Sequence, residues 1–294
     1  PRARVQRAGR TGGAILAAAS LLATALVAGA ATDETRSREE RAAAGGALDD
    51  GALDGHAIWD RVLANRFASC LQTSRLRSGD RGGNEQEVRL RMAWASFRGP
   101  GGAPADGVTL SKTIVRYTHP FDLRHSGYLV IQNAGRPNDQ FVYRSSARRI
   151  ARVNLRREAV FGTDFSFEDL VPREIEDADY RRKPDVEWHG ERAWVVTVLP
   201  KPRAESEYSR FESTVDPRRH APLRTLYWDE AGVLVKELRA EREHFERHGD
   251  VWVPMRVAMR NRRTGSYTLI EVEAIEPDIE IEQHAFDLGR LEGR

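Results

Sequence analysis

Between Val88 and Glu273 the chain runs as short alternations of apolar and polar residues, punctuated by Gly, Pro, Asn and Asp. Side chains along a strand take opposite faces with a period of two. Each run therefore reads as a half-buried antiparallel strand. Val88, Leu90, Met92 and Trp94 point one way, while Arg89 and Arg91 point the other. Gly99 to Gly107 breaks that strand. Strands are then expected at Thr109 to Tyr117, Tyr128 to Gln132, Gln140 to Tyr143 and Arg148 to Val153. Further on come Ala193 to Leu199, entered through a His189-Gly190 turn, and Tyr208 to Val215. Leu223 to Trp228 with Val233 to Leu238 reads as a hairpin, Arg242 to Arg247 with Val251 to Arg260 as another, and Tyr267 to Glu273 follows. About ten strands with few helices and no internal repeat imply one large antiparallel sheet or barrel in a single domain, residues 54–294.

Only one helix stands out. Asp54 can cap it, and Ile58, Trp59, Val62 and Leu63 fall on one face, with Phe67 beyond. Its apolar stripe must lie on sheet, because the rest of the chain supplies little else.

The first thirty residues read differently. Arg2, Arg4, Arg7 and Arg10 precede an uncharged run, Ala14 to Val27, and then Ala28-Gly29-Ala30. This is the pattern of a cleaved secretory signal peptide. Cleavage after Ala30 removes those four arginines and no acid, taking the net charge from +2 to −2. A basic nucleic-acid binder is thereby disfavoured. Ala31 to Leu53 has no aromatic residue and reads as a flexible spacer. The one cysteine, Cys70, reads as a small buried hydrophobe.

Phe161-Gly162-Thr163-Asp164-Phe165-Ser166-Phe167-Glu168-Asp169-Leu170 is neither strand nor ordinary loop. Ser166 and Asp169 have the spacing of a capping box. The stretch reads either as a movable greasy lid or as a connector whose aromatics fill core. In a helical turn, side chains two apart diverge by about 200°. Phe165 is thus expected to anchor under the sheet rim, with Phe167 or Leu170 at a cavity mouth. Asp164, Glu168 and Asp169 read as helix-start charges.

No catalytic signature is present. H-E-x-x-H, G-x-S-x-G, P-loop, G-x-G-x-x-G and C-x-x-C patterns are all missing. His244 and His248 are four apart, but on strand and turn, which separates their rings. Neither metal nor cofactor is expected. Arg144, Arg148, Arg149, Arg152, Arg156 and Arg157 form the densest charge run. It reads either as a solvated strand face or as a contact for anionic headgroups or a partner, with Arg148, Arg149 and Arg152 at its centre.

The central stretch resembles the "F-x-G-T-D-F-S-Y-E-D-L" signature of the outer-membrane lipoprotein-sorting protein family, in the LolA/LolB-like superfamily, with Phe167 for the usual Tyr. Tyr128-Leu129-Val130, Phe141-Val142-Tyr143 and Ala147 to Arg152 follow the same family's pattern, except that Ser145-Ser146 replaces Pro-Ala. Pro222-Leu223-Arg224, Tyr227-Trp228-Asp229, Gly232 and Trp252 to Met255 extend it. The resemblance implies a mainly β fold: one curved antiparallel sheet forming an incomplete barrel, with helices as lid. It further implies a periplasmic, monomeric, non-enzymatic carrier of lipid or lipoprotein acyl chains, with transient membrane contact. The alternative is a docking module beside an RND-type or lipoprotein-releasing transporter. Trp59, Leu63, Trp94, Phe165, Phe167 and Leu170 are the expected lining of cavity or lid.

Overall fold

Strand pairing decides the architecture. The computed structural model describes residues 53–99, 102–154, 163–166, 168–170 and 173–292, the Leu170 side chain excepted. The signal-peptide and spacer assignments, Phe167, Arg156 and Arg157 therefore lie outside the described residues. The strands are β1 (Ser69–Gly79), β2 (Glu85–Ser96), β3 (Thr109–His119), β4 (Gly127–Asn133), β5 (Asp139–Arg144) and β6 (Arg149–Val153). Next come β7 (Ala178–Trp188), β8 (Glu191–Pro200), β9 (Tyr208–Asp216), β10 (Ala221–Asp229) and β11 (Leu234–Ala240). The last are β12 (Phe245–His248), β13 (Val251–Pro254), β14 (Arg256–Asn261) and β15 (Tyr267–Pro277).

Thirteen of them form one antiparallel sheet in the order β6-β5-β4-β3-β2-β1-β15-β14-β11-β10-β9-β8-β7, and β12 and β13 form a separate ribbon. The outer strands β6 and β7 do not pair with each other, so the sheet stays open. It is nevertheless curled. Glu174, just before β7, accepts from Gln132 Nε2 on β4 at 2.8 Å and from Arg98 Nη2 after β2 at 2.5 Å. Side chains from opposite ends of the sheet thus meet. Inside the curl lies one continuous apolar core, drawing Leu90 and Trp94 from β2, Trp194 from β8 and Met259 from β14. A smaller cluster covers the outer face, where Phe286 and Leu291 of the C-terminal segment pack on Ala95, Ile114 and Leu129.

Helix α1 (Gly55–Ala64) begins as its sequence requires: Asp54 accepts from Ala57 N–H at 2.7 Å. Ile58, Trp59, Val62 and Leu63 are buried. Trp59 packs on Tyr180 of β7 and Phe211 of β9, at ring separations of 5.9 and 5.7 Å. Gly55 is needed at the entry, because a Cβ there would stand 2.7 Å from the Arg182 backbone nitrogen. The turn between β7 and β8 places His189 and Gly190 at φ 52° and 78°, the pair of positive angles a two-residue hairpin uses.

Three features differ from the sequence expectation. β1 was not foreseen, since its inward side carries Gln72, Ser74 and Ser78 beside Cys70 and Leu76, and no apolar alternation marks it. Edge strand β7 runs the whole way from Ala178, although Pro184 and a charged sequence obscure it. The expected strand Val251 to Arg260 breaks at Met255. There Met255 N–H donates to His244 at 2.7 Å and ends the β12–β13 ribbon before β14 resumes the sheet.

The sheet also buries ions. On its outer face, the Glu237 carboxylate is fully covered by Arg224 (2.9 Å), Arg239 (2.6 Å) and Arg262. Burial alone would raise its pKa, but the three guanidiniums overcome this and hold it down at about 2. A carboxylate with a depressed native pKa contributes stability above its unfolded pKa and loses it as the pH falls through the native one. Urea midpoints should therefore drop between about pH 4.5 and pH 2, with Glu237 contributing on the order of 3 kcal/mol. Asp216 and Asp139 are lowered too and share this limb. Glu237→Gln should flatten it; an unchanged acid limb would show that the clamp carries no stability.

Cys70 is fully buried, and burial, with Asp278 nearby, pushes its thiol up to about 12. A thiol reagent at pH 8 should label it only in denaturant. Rapid labelling of the native protein would contradict the packing.

Candidate functional site

The central stretch crosses the inner side of the sheet, held by a chain of polar contacts. Asp164 N–H donates to Thr268 Oγ1 of β15 at 2.9 Å, while the Asp164 carboxylate accepts from Ser266 Oγ at 2.5 Å. Phe165 follows with no exposed surface and joins the main core. Ser166 N–H then donates to Asp169 Oδ2 at 2.8 Å, the returning arm of the capping box, and opens a single 3-10 turn over Glu168–Leu170.

The acidic residues are not simply helix-start charges. Asp169, almost wholly buried, accepts from Lys236 Nζ of β11 at 2.9 Å and from Tyr208 O–H of β9 at 2.9 Å. Lys236 also reaches Tyr208 Oη at 2.7 Å. Glu168 accepts from Arg173 Nη2 at 2.6 Å, from Glu207 N–H at 2.7 Å and from Ser206 Oγ. The Arg173 guanidinium lies 4.9 Å from the Phe211 ring centre. Lys236 carries no signal in the sequence alone. Its partner is 67 positions away, and no local pattern could have paired them.

Electrostatics decide what this network can do. Burial would lower the Lys236 ammonium, but Asp169 and Glu207 outweigh it and hold the pKa above the usual lysine value. Burial, reinforced by Asp169, pushes the Tyr208 hydroxyl far up. Lys236 is thus a permanent cation and Tyr208 a permanent donor. Neither is a nucleophile or a base near neutral pH. The arrangement clamps a segment to a sheet.

Other anticipated residues fall as follows. Trp59, Leu63, Trp94 and Phe165 meet in the one interior core. The indole Nε1 groups of Trp59, Trp94 and Trp194 and the Tyr180 hydroxyl are buried there without a hydrogen-bond partner among the described residues. Arg148 and Arg149 are exposed at the β5–β6 turn on the open edge of the sheet, whereas Arg152 pairs with Asp139. His244 sits by Glu241 at 3.6 Å, and His248 turns to Phe67, at a ring separation of 6.3 Å, so the two imidazoles do part. Glu241, Glu243 and His244 cluster loosely at the surface. No helix among the described residues is long and apolar enough to cross a membrane.

A polar cavity of about 710 Å3 opens beside the stretch, between Gln132, Gln140, Glu168, Arg173, Glu174 and Arg203. It marks the mouth of the curl.

Phe165 has the clearest mutational consequence. Phe165→Ala should destabilise the protein by about 3–5 kcal/mol, read as a fall in Tm of roughly ten degrees or more. A fall of one or two degrees would show that the stretch is not anchored there.

A protein-family model described as an uncharacterized protein matches residues 109–293, more than half of the chain. No curated protein matches. Among solved structures, the chain is similar to a domain assigned as an outer membrane lipoprotein-sorting protein from Vibrio parahaemolyticus. The two share 20% identity at a TM-score of 0.72, over 81% of this chain and 98% of that one. A DUF1329 family protein from Desulfovibrio piger shares 21% identity at a TM-score of 0.73, over 81% of this chain and 97% of that one. A LolA superfamily protein from Nitrosomonas europaea shares 16% identity at a TM-score of 0.63, over 81% of this chain and the whole of the other. The chain belongs to the family of uncharacterized proteins that the model describes, and it has the fold of the LolA-like lipoprotein-sorting proteins.

Proposed function

We propose that this protein is a periplasmic, non-enzymatic carrier or chaperone that takes lipid or lipoprotein acyl chains into the interior of its curled sheet. The observation that carries this reading is an open sheet wrapped round one large apolar core, with α1 laid over the core rather than built into the sheet. In this reading residues 1–30 are an export signal, 31–53 a spacer and 54–294 the carrier domain. Trp59, Leu63, Trp94 and Phe165 are the surfaces an acyl chain would meet. Phe167 or Leu170 would face the mouth. Arg148, Arg149 and Arg152 would touch headgroups or a transporter, and the protein would act as a monomer with only transient membrane contact.

Magnitudes support a ligand-exchanged lid. Exposing Ile58, Trp59, Val62 and Leu63 would cost roughly 6–12 kcal/mol. An acyl chain of about fifteen methylenes returns on the order of 12 kcal/mol at about 0.8 kcal/mol each. Lid opening is therefore unfavourable alone and near balance with cargo. The polar ties on α1 are few. Asn65 exchanges two hydrogen bonds with the Trp252 backbone, at 2.8 and 2.9 Å, and Arg182 Nη1 donates to Leu53 at 2.7 Å. The orphaned indole N–H groups would find acceptors in the ester or amide carbonyls of an acylated ligand. The constant protonation of Lys236 and Tyr208 fits a binding role better than a catalytic one.

A second reading has its own observation. The interior is filled by the protein's own side chains, with Trp94, Trp194 and Phe165 all fully buried. That fits a docking module working beside an RND-type or lipoprotein-releasing transporter without cargo. One experiment separates the two. Protein exposed to a lipid extract should carry acylated adducts in native mass spectrometry, and Asn65→Ala should increase uptake of an apolar dye by releasing α1. Absence of any acylated ligand at micromolar protein, with membrane proteins still captured, would refute the carrier.

A further inference from the structure

The outer face of the sheet carries a second cavity, on the side away from the interior just discussed. The C-terminal segment, with its 3-10 turn at Gln283–Phe286 and its helix at Leu288–Glu292, crosses the outer side of the sheet and is pinned by Phe286 and Leu291. Between this segment and β15, β1, β2 and β3 lies a groove of about 600 Å3. That is within the range of about 300–1,000 Å3 that small-molecule sites occupy.

Its walls are of two kinds. Leu71, Ala93, Ile114, Ala274 and Ala285 give an apolar floor and sides. Leu71 is a large apolar side chain left 38% exposed, which the fold itself does not explain. Three arginines line the same groove: Arg91, Arg116 and Arg290. None of the three has an ion-pair partner among the described residues, whereas Arg75, Arg77, Arg224 and Arg239 on the same sheet all reach carboxylates. Glu276 lines the rim, and His284 there is tied to Glu282 at 2.8 Å.

Arg116 is the central member. It is half-buried, and the segment that brings Arg290 also sets Leu291 beside it. A Cβ on Gly127 would meet Leu291 Cδ1 at 3.0 Å and Arg116 Cγ at 3.6 Å. Burial, and then the like charge of Arg290, lower the Arg116 pKa from its ordinary value. Arg116 and Arg290 are like charges in a partly dry part of the groove, neither with an ion-pair partner among the described residues, and that cost would be relieved by an anion.

We propose that this outer groove binds a single-chain anionic amphiphile of the fatty-acid or lysophospholipid class, with its carboxylate or phosphate on Arg116, Arg290 and Arg91 and its alkyl chain along Leu71, Ile114 and Ala93. Arginine forks hold either head bidentately. A groove of this volume takes one chain rather than two. The site is separate from the interior, because side chains of opposite parity on the same strands face the two places.

The test uses the whole protein after export, with a photoactivatable diazirine fatty acid as probe and residue-level mass spectrometry of the adducts. Labelling is expected on 283–292, the segment that touches only the outer face. Oleate should compete, while its uncharged methyl ester should compete at least tenfold less well. Arg116→Gln with Arg290→Gln should weaken binding roughly tenfold or more, the scale of one charge-assisted hydrogen bond, with Tm unchanged or raised. Lysophosphatidic acid competing better than oleate would assign the head as phosphate. Labelling confined to α1, 55–64, would overturn the outer site and leave the carrier reading standing. Equal binding of acid and ester, equal binding by the double variant, or displacement by millimolar inorganic phosphate alone would each overturn it as well.

Discussion

One buried carboxylate governs how the interior is assembled. Taking Asp169 out of water costs several kcal/mol, and a single missing partner would leave most of that cost standing. Lys236, the Tyr208 hydroxyl and the Ser166 N–H together satisfy it. These partners come from β11, β9 and the stretch itself, so only one placement of the segment meets all of them. Phe165 is carried into the main core by that placement, with Asp164 on Thr268 as the second fixed point. The aromatic side chain supplies the apolar energy and the charges supply the address.

The same division explains how much of the molecule could be read from its sequence. α1 was legible because its cap and stripe are local: Asp54 sits three residues from Ala57, and Ile58, Trp59, Val62 and Leu63 repeat at helical spacing. The open, mainly β fold was legible because most strands expose one face and bury the other. β1 was not, since Ser74 and Ser78 face inward, where Ser78 bonds to Thr268 at 2.9 Å. Hydroxyl groups paired across a sheet leave no apolar trace. Of the candidate site, Trp59, Leu63, Trp94 and Phe165 could be chosen because large apolar side chains seek the same interior. Lys236 and Arg173 could not, because an ion pair is a fact about two distant segments. In the arginine run, Arg152 pairs with Asp139, while Arg148 and Arg149 are exposed with no ion-pair partner among the described residues, at an edge where charge discourages another strand from pairing.

The two faces of the sheet are finished differently. Inside, aromatic rings pack on one another, as in Trp59 on Tyr180 and Tyr208 on Tyr227 at 4.8 Å. Outside, arginines lie over aromatic rings and carboxylates, as in Arg210 on Trp228 at 4.4 Å and Arg224 on Glu237. Guanidinium groups are weakly hydrated and planar, so they cover a sheet face without demanding full solvation. This lets the outer surface be both charged and well packed, while on the inner side the Asp169–Lys236 and Glu168–Arg173 pairs lie beside the apolar core.

The strand order has a consequence for how the chain acquires its structure. β1 and β15 are neighbours at the middle of the sheet, with Leu76 beside Ile270. The runs β1 to β6 and β7 to β11 are each meanders of adjacent hairpins, which close quickly because their contacts are local in sequence. The seam that joins them waits for β15, the last of the described strands, to emerge. Two half-sheets with unsealed inner edges must therefore coexist until the C-terminal portion arrives, a period in which exposed edges are prone to pair wrongly. The fold is in this sense a zipper whose slider is β15, and completion of the sheet is a late, chain-length-dependent event rather than a gradual one.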